Sequence, residues 1–402
     1  MKYPQSFVQR MLNLTDILIP ILTVAGLLIA AHQWAGHLKR NRIDHFRMNL
    51  DSVKGHREGF STRMRELYLK DLSSNDTIDR DSYNLAKRDW IMDSPKDLGE
   101  LKVNIVPGIK ELNKVSSNDL KDNKISYRKT LPDRSEGYTE NVRRYTDKKL
   151  FNGPAYRLVS ADFSEGKMEL NIQETTYYDY YDTCERLLYQ AVCDINRGYQ
   201  KKEKADFVCR LNKPFDFESR VVGIGVSTLT IIKNLEGKNY FLIHKRSGKV
   251  AEATNTVSAV PAGTLEHLGK DKMNGSGMIL CNIVREFEEE LLGVQEVENA
   301  EYYPMDRVDL NGFEFKFLGM GLDPLTTKLE FMSCMVIDAN VSKLFSDGFK
   351  GIFSDIMKGS YEGSIHMVEF TKENLELHMH NRNAMPLFRD MMRIVGRSFD
   401  EF

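Results

Sequence analysis

The run from Ile17 to Ala31, ILIPILTVAGLLIAA, is fifteen residues without a charged side chain. It restricts the fold more than any other stretch, because a helix that is apolar all round has to be covered on every side. Extended to Leu12 and Gly36, the segment is about 25 residues long, and about 20 suffice to cross the hydrocarbon layer of a bilayer. Asp16, its one formal charge, falls near the boundary of such a span, and Trp34 falls where an interfacial aromatic would stand. The pattern predicts a single transmembrane helix over residues 12–36, with the lipid bilayer as partner. Two other readings compete. A cleaved signal peptide would also show a basic start (Lys2, Arg10), an apolar stretch and small residues near Ala30 and Ala31. A buried core helix is the second. Lys39, Arg40, Arg42 and Arg47 outnumber Lys2 and Arg10, so the positive-inside tendency places the C-terminal bulk of a single-pass membrane protein in the cytoplasm.

The chain has 402 residues, more than one ordinary domain uses. Its text divides into an N-terminal anchor (1–36), a juxtamembrane helical and polar linker region (37–150), a small α+β region (151–217) and a regular C-terminal domain (218–402). Lys110 to Lys149 holds 18 charged residues among 40, which reads as solvated surface or linker. YRLVSADF and KMELNIQ predict a hairpin around Ser164-Glu165-Gly166, and the tyrosines of TTYYDYYDTC predict core and rim rather than a stacking platform. Fifty-six basic against 58 acidic side chains argue against bulk-charge attachment to nucleic acid, and no specific nucleic acid is expected. Five scattered cysteines without a CxxC pair exclude a disulfide scaffold and a thiolate zinc site. Nothing in the text fixes the oligomeric state, and a homo-oligomer is possible.

From Arg220 the pattern is regular. RVVGIGVSTLTIIKN and NYFLIHKRS read as strands joined at Glu236-Gly237-Lys238, followed by NTVSAVPAG, a polar stretch from His267 to Gly277, and the helix MILCNIVREFEEELLG. At 100° per residue, Glu286, Glu289 and Glu290 share one helix face, and Leu280, Val284, Phe287 and Leu291 form the opposite apolar stripe. Crowded like charges destabilise a helix unless a cation intervenes, and hard oxygen donors suit Mg²⁺ or Mn²⁺. A solvated acidic face is the bland alternative. FEFKFLGMGLD, LEFMSCMVID and SIHMVEF predict further strands, and AMPLFRDMMRIV a closing amphipathic helix. His366, His378 and His380 lack the spacing of a zinc cluster.

Taken together, the LIHKRS strand, Pro261-Ala262-Gly263-Thr264-Leu265-Glu266 and Arg285-Glu286-x-x-Glu289-Glu290 resemble the Nudix hydrolase superfamily, over about Arg220 to Met392. The resemblance implies an α/β class: a C-terminal α/β/α sandwich with a mixed sheet, behind the transmembrane helix and the smaller α+β region. It implies that Glu286, Glu289 and Glu290, with the Gly263 carbonyl, ligate Mg²⁺ or Mn²⁺, and that Arg285 orients the glutamates. Glu290, Glu330 and Glu362 are candidates for the general base. Lys245, Arg246 and Glu266 are candidates for substrate contact, with His244 a further one for gripping phosphate. The implied activity is hydrolysis of a diphosphate linkage in a nucleotide derivative. A nucleotide-binding sensor that signals through the anchor is the alternative. Three departures stand out. Gly263 to Arg285 is twenty-two positions where the family has fourteen, Gly277 replaces a glutamate that braces the arginine, and Gly293 closes the helix one residue late. Glu266 is a candidate to take over the bracing role.

Overall fold

A computed structural model describes residues 5–52, 57–72, 77–107, 131–196, 214–215, 217, 221–246, 256–266, 275–294, 308–345 and 363–402. Two helices lead, α1 (Gln5–Ser52) and α2 (Arg57–Asp71). Four short strands follow: β1 (Ile78–Asp79), β2 (Ala86–Lys87), β3 (Ile91–Asp97) and β4 (Lys102–Ile105). Helix α3 (Tyr138–Tyr145) precedes the hairpin of β5 (Pro154–Asp162) and β6 (Glu169–Thr176). A π-turn at Tyr181–Glu185 then runs into α4 (Arg186–Asn196). The C-terminal part comprises β7 (Ile224–Leu235), β8 (Lys238–Arg246), β9 (Val257–Ser258), β10 (Ala262–Thr264) and α5 (Ser276–Leu291). It closes with β11 (Phe313–Leu322), β12 (Leu329–Asp338), β13 (Gly363–Glu369), α6 (Lys372–Met379) and α7 (Pro386–Arg397).

The main sheet is mixed, in the order β13-β8-β7-β12-β11-β3, with β9 on β8 and β10 on β7. Among the described strands, only β7 and β12 are parallel neighbours in it; their register runs from Ile224↔Leu329 to Lys233↔Asp338. Period-two alternation sends side chains to two apolar layers. Val284, Phe287 and Leu291 of α5 pack with Leu242, Ile232, Met335 and Ile337 on one face. Leu387, Phe388, Met391 and Val395 of α7 pack with Phe241, Ile243, Leu229 and Val336 on the other. The sheet is therefore sandwiched between helices. Its far edge comes from an unexpected place: β3 lies within the stretch read as polar linker, and pairs with β11 through Lys316↔Asp97 and Gly319↔Ile91. Pro95 is tolerated there because an edge strand has one unpaired side.

The smaller sheet, β4-β6-β5, carries the expected hairpin, with Ser164–Gly166 as its turn. Of the four tyrosines in TTYYDYYDTC, Tyr180 and Tyr181 are buried in the core and Tyr177 and Tyr178 are partly buried at its rim, and Phe46 of α1 packs on the buried Tyr189 with ring centroids 5.0 Å apart. That contact ties the C-terminal half of α1 to the fold.

The transmembrane expectation is corrected. Among the described residues, no helix is long and apolar enough to cross a membrane. The described part of the apolar run, from Val24 on, reaches His32 and Gln33 too soon to supply the ~20 apolar residues a span needs. The side chains of residues 5–23 lie outside the described set. The single-pass anchor at 12–36, the bilayer contact built on it and the cytoplasmic placement of the bulk are withdrawn with it. Along α1, Val24, Leu27, Leu28, Ile29 and Trp34 are exposed.

Candidate active site

The site is built where α5 runs along the open edge of β10. Thr228 N–H donates to the Pro261 carbonyl and Leu265 N–H to the Ile224 carbonyl, both at 2.8 Å. With the register Gly263↔Val226, these bonds make Gly263 and Val226 a mutually hydrogen-bonded pair. The backbone groups of Ala262 and Thr264 consequently point away from β7, toward α5. Side chains four residues apart on a helix step round by only 40° and form one stripe. On α5 that stripe is Asn282, Glu286 and Glu290. Asn282 Nδ2 donates to the Thr264 carbonyl at 3.2 Å, and Ala262 N–H donates to Glu290 Oε2 at 2.9 Å. Between them, Glu286 lies against Gly263, where an added Cβ would overlap its carboxylate. Glycine at 263 is thus a requirement of close approach. One lone pair of its carbonyl is already committed to Val226 in the ladder.

Arg285 gathers the acidic residues. Its guanidinium donates to Glu286 Oε1 at 2.5 Å and to Glu266 Oε2 at 3.1 Å, and lies 3.8 Å from Glu289 Oε1. The arginine side chain is only 11% exposed, so its two charge-assisted bonds, to Glu286 and Glu266, are shielded on the arginine side, and the longer ion pair draws Glu289 to the same group. Glu266 is therefore turned to the arginine. Gly277 stands in the first turn of α5 with open space where a side chain would be. Gly293 follows the helix with φ +66°, a left-handed conformation suited to a residue without Cβ. The extra loop residues, 267–274, lie outside the described residues, as does Glu362.

Not every candidate comes to this place. Glu330 is in register with Gly225, which is opposite Thr264, one step out of phase with Val226 and Gly263. It therefore projects from the face away from Glu286, and a Cβ on Gly225 would come within 2.6 Å of its Oε2. Lys328 shares that face, with its Nζ 5.2 Å from the centre of the Tyr180 ring. The basic trio is split by strand alternation. His244 and Arg246 follow Leu242 onto the α5 face, whereas Lys245 follows Phe241 and Ile243 onto the α7 face. Lys245 acts there on His378 and His366, whose pKa values are lowered mainly by burial and further by that ammonium. His244 is 2% exposed. Burial, helped by the charge of Arg246 and by His366, lowers its pKa to about 4. It is neutral at pH 7 and supplies no positive charge to a phosphate.

The residue that sequence reading passed over is Asn282. It is fully buried and fixes the start of the helix against β10. Its signal was present, since it precedes Glu286 by four and Glu290 by eight.

Glu286, Glu289 and Glu290 offer hard carboxylate oxygens from one helix face, the donor chemistry of Mg²⁺ and Mn²⁺. The clearance at Gly263 lets Glu286 reach the loop edge. In donor type the set fits a divalent cation. In arrangement the positive charge at its centre is the Arg285 guanidinium, and no group of three or more His, Cys, Asp or Glu among the described residues is placed to hold a metal ion.

No family model matches the chain, and no curated protein matches it. Among solved structures, a Nudix hydrolase from M. Smegmatis, RenU, is similar at 9% identity and a TM-score of 0.25, over 44% of this chain and 86% of that one. The C. elegans Ap4A hydrolase is similar at 11% identity and a TM-score of 0.24, over 45% of this chain and 98% of that one. Similarity at this level establishes neither family nor activity for this chain.

Proposed function

We propose that the chain is a hydrolase of the Nudix type that cleaves a diphosphate linkage in a nucleotide derivative, using Mg²⁺ or Mn²⁺. The observation that carries this reading is the gathering of Glu266, Glu286 and Glu289 around one shielded arginine, with Glu290 held beside them by Ala262 N–H. Three carboxylates around a single guanidinium, with a fourth held close by, leave the site electronegative, which favours a divalent cation over the bare phosphate oxygens of a substrate.

Glu286, Glu289 and Glu290 would hold the ion. When bound, it would supply charge neutralisation for the diphosphate and a lowered pKa for the attacking water. Arg285 orients Glu286 and Glu289, and Glu266 braces Arg285 from the loop. Glu290, whose Oε2 accepts from Ala262 N–H, would serve as the general base that takes a proton from the attacking water. Glu330, on the opposite face of the sheet, would not.

A second reading is favoured by one specific feature, the Arg285 guanidinium at the centre of the carboxylates, where a metal ion would otherwise balance their charge. Under it, the domain binds a nucleotide derivative without turnover. The separating experiment incubates the full chain with Mg²⁺ or Mn²⁺ and a panel of nucleoside diphosphate derivatives, and follows products by chromatography. Turnover that is lost in Glu289→Gln and Glu290→Gln supports hydrolysis. Metal-dependent binding without products sinks it and leaves the second reading.

A further inference from the structure

On the α7 side of the sheet, away from α5, lies a cavity of about 520 Å³ bounded by α2, Tyr83, Thr256 and the connection from α6 to α7. That volume is in the range of small-molecule sites. Its lining carries four arginines, Arg57, Arg65, Arg382 and Arg389, against one acidic residue, Glu58. The imbalance is incompletely offset by the surrounding protein. Arg57 reaches Asp323 at 3.3 Å, and Arg389 is 3.8 Å from Glu58. Arg65 donates to the Arg80 carbonyl at 2.5 Å, a neutral acceptor. Arg382 makes no hydrogen bond or ion pair among the described residues, and the buried Nε atoms of Arg57 and Arg65 have no partner.

Two further observations show how the walls are held. Arg389 is stacked on the Tyr83 ring, 3.8 Å from its centre, and its Nε donates to the Met379 carbonyl at 2.8 Å. Tyr83 is itself fixed through its N–H to Asp390, at 2.9 Å. The Arg65 guanidinium is held below its usual pKa by burial, against the opposing pull of Asp390 and Asp79. A buried cation so placed gains from an incoming anion what it lost in leaving water.

We propose that this cavity is a binding site for a phosphorylated small molecule, gripped by Arg57, Arg65 and Arg382. Guanidinium forks match the oxygens of a phosphoryl group two at a time, and several arginines converging on one pocket suit a group of two or more negative charges. The site is separate from the carboxylates of α5, which lie across the sheet and repel anions. It is therefore a second, effector-type site, and it stands whether or not α5 hydrolyses anything.

The test uses the full chain in a chelator-containing buffer at fixed ionic strength, which removes metal-mediated binding at α5. Inorganic pyrophosphate is titrated calorimetrically. Arg382 and Thr62 are exposed positions on the cavity lining, where substitution spares the core. Saturable binding is expected in the wild type and in Glu289→Gln. It is expected to weaken at least about tenfold in Arg382→Glu and in Thr62→Glu, the loss of one charge-assisted contact, and to recover most of its strength in Arg382→Lys. No saturable binding in the wild type would overturn the proposal. So would equal affinity in the wild type, Arg382→Glu and Thr62→Glu, or a loss confined to Glu289→Gln. Capture on phosphatidylserine vesicles without pyrophosphate binding would also overturn it, because the arginines would then read a lipid surface.

Discussion

The contact between Gly263 and Glu286 gives a sharp prediction. Gly263 sits in β10 outside the left-handed region, so alanine there meets no backbone penalty and the whole effect is steric. The new methyl would occupy the space of the Glu286 carboxylate, whose Oε2 lies 2.8 Å from the position it would take. Glu286 can yield only by giving up its 2.5 Å bond to Arg285. Overpacking of a fixed site costs about 1–3 kcal/mol, and a hydrogen bond to a charged group contributes about 1.5–3 kcal/mol. Partial relief makes Gly263→Ala about 2 kcal/mol destabilising. In a Glu286→Ala background the obstacle is gone, and the same change should cost less than about 0.5 kcal/mol, a coupling of about 1.5 kcal/mol. Urea unfolding followed by tryptophan fluorescence reads this, because Trp90 is buried in the same apolar cluster as Ile279 and Ile283 of α5. Equal costs in the two backgrounds would refute the packing of α5 on β10 described above.

Three other outcomes follow from the same structure. Glu266→Ala removes one partner of Arg285 from a partly exposed pair, so stability should fall by only about 1 kcal/mol, while turnover of any substrate falls more than about tenfold through loss of glutamate positioning; parallel unfolding and kinetic measurements check the split. Asp390 accepts from Ser82 Oγ at 2.7 Å, Tyr83 N–H at 2.9 Å, and the Asn84 amide side chain at 2.8 Å, wholly buried. Asp390→Ala strands those donors, and should cost about 3–5 kcal/mol in urea unfolding, with the 79–84 segment released from α7. His244 has a folded pKa of about 4 against an ordinary value of 6.5. The unfolded chain then binds the extra proton, so its contribution is intact above pH 6.5 and is lost as pH falls toward 4, by about 3 kcal/mol. His244→Gln should flatten that part of the stability profile.

Much of the site was legible because it depends on local periodicity. The order of strands and α5 followed from alternation and from Gly293, and the polar and apolar stripes of α5 followed from a 100° step. Long-range pairing was not legible. IMDSPKD has neither the alternation nor the β-branched content of a sheet strand, and becomes β3 only because the edge of β11 is available. The split of His244, Lys245 and Arg246 between two faces was implicit in alternation, but which face mattered depended on where α5 and α7 pack. NTVSAVPAG, a single element in the sequence, carries two short strands, β9 and the start of β10, interrupted at Val260-Pro261 where proline removes a ladder donor. The apolar run misled for a different reason. Hydropathy reports the need for cover, not its source, and among the described residues no helix, α1 included, is both long and apolar enough to cross a membrane.

The central claim is that the α5 carboxylates carry out hydrolysis, and water enriched in oxygen-18 tests it most directly. The full chain, with Mn²⁺ and whichever nucleoside diphosphate derivative it consumes, should place one heavy oxygen on a phosphate of one product. Glu290→Gln should lower the rate by at least about a hundredfold, as loss of a general base does, without altering the fold. Label incorporation at an undiminished rate in Glu290→Gln, or product formation without label, would contradict the account.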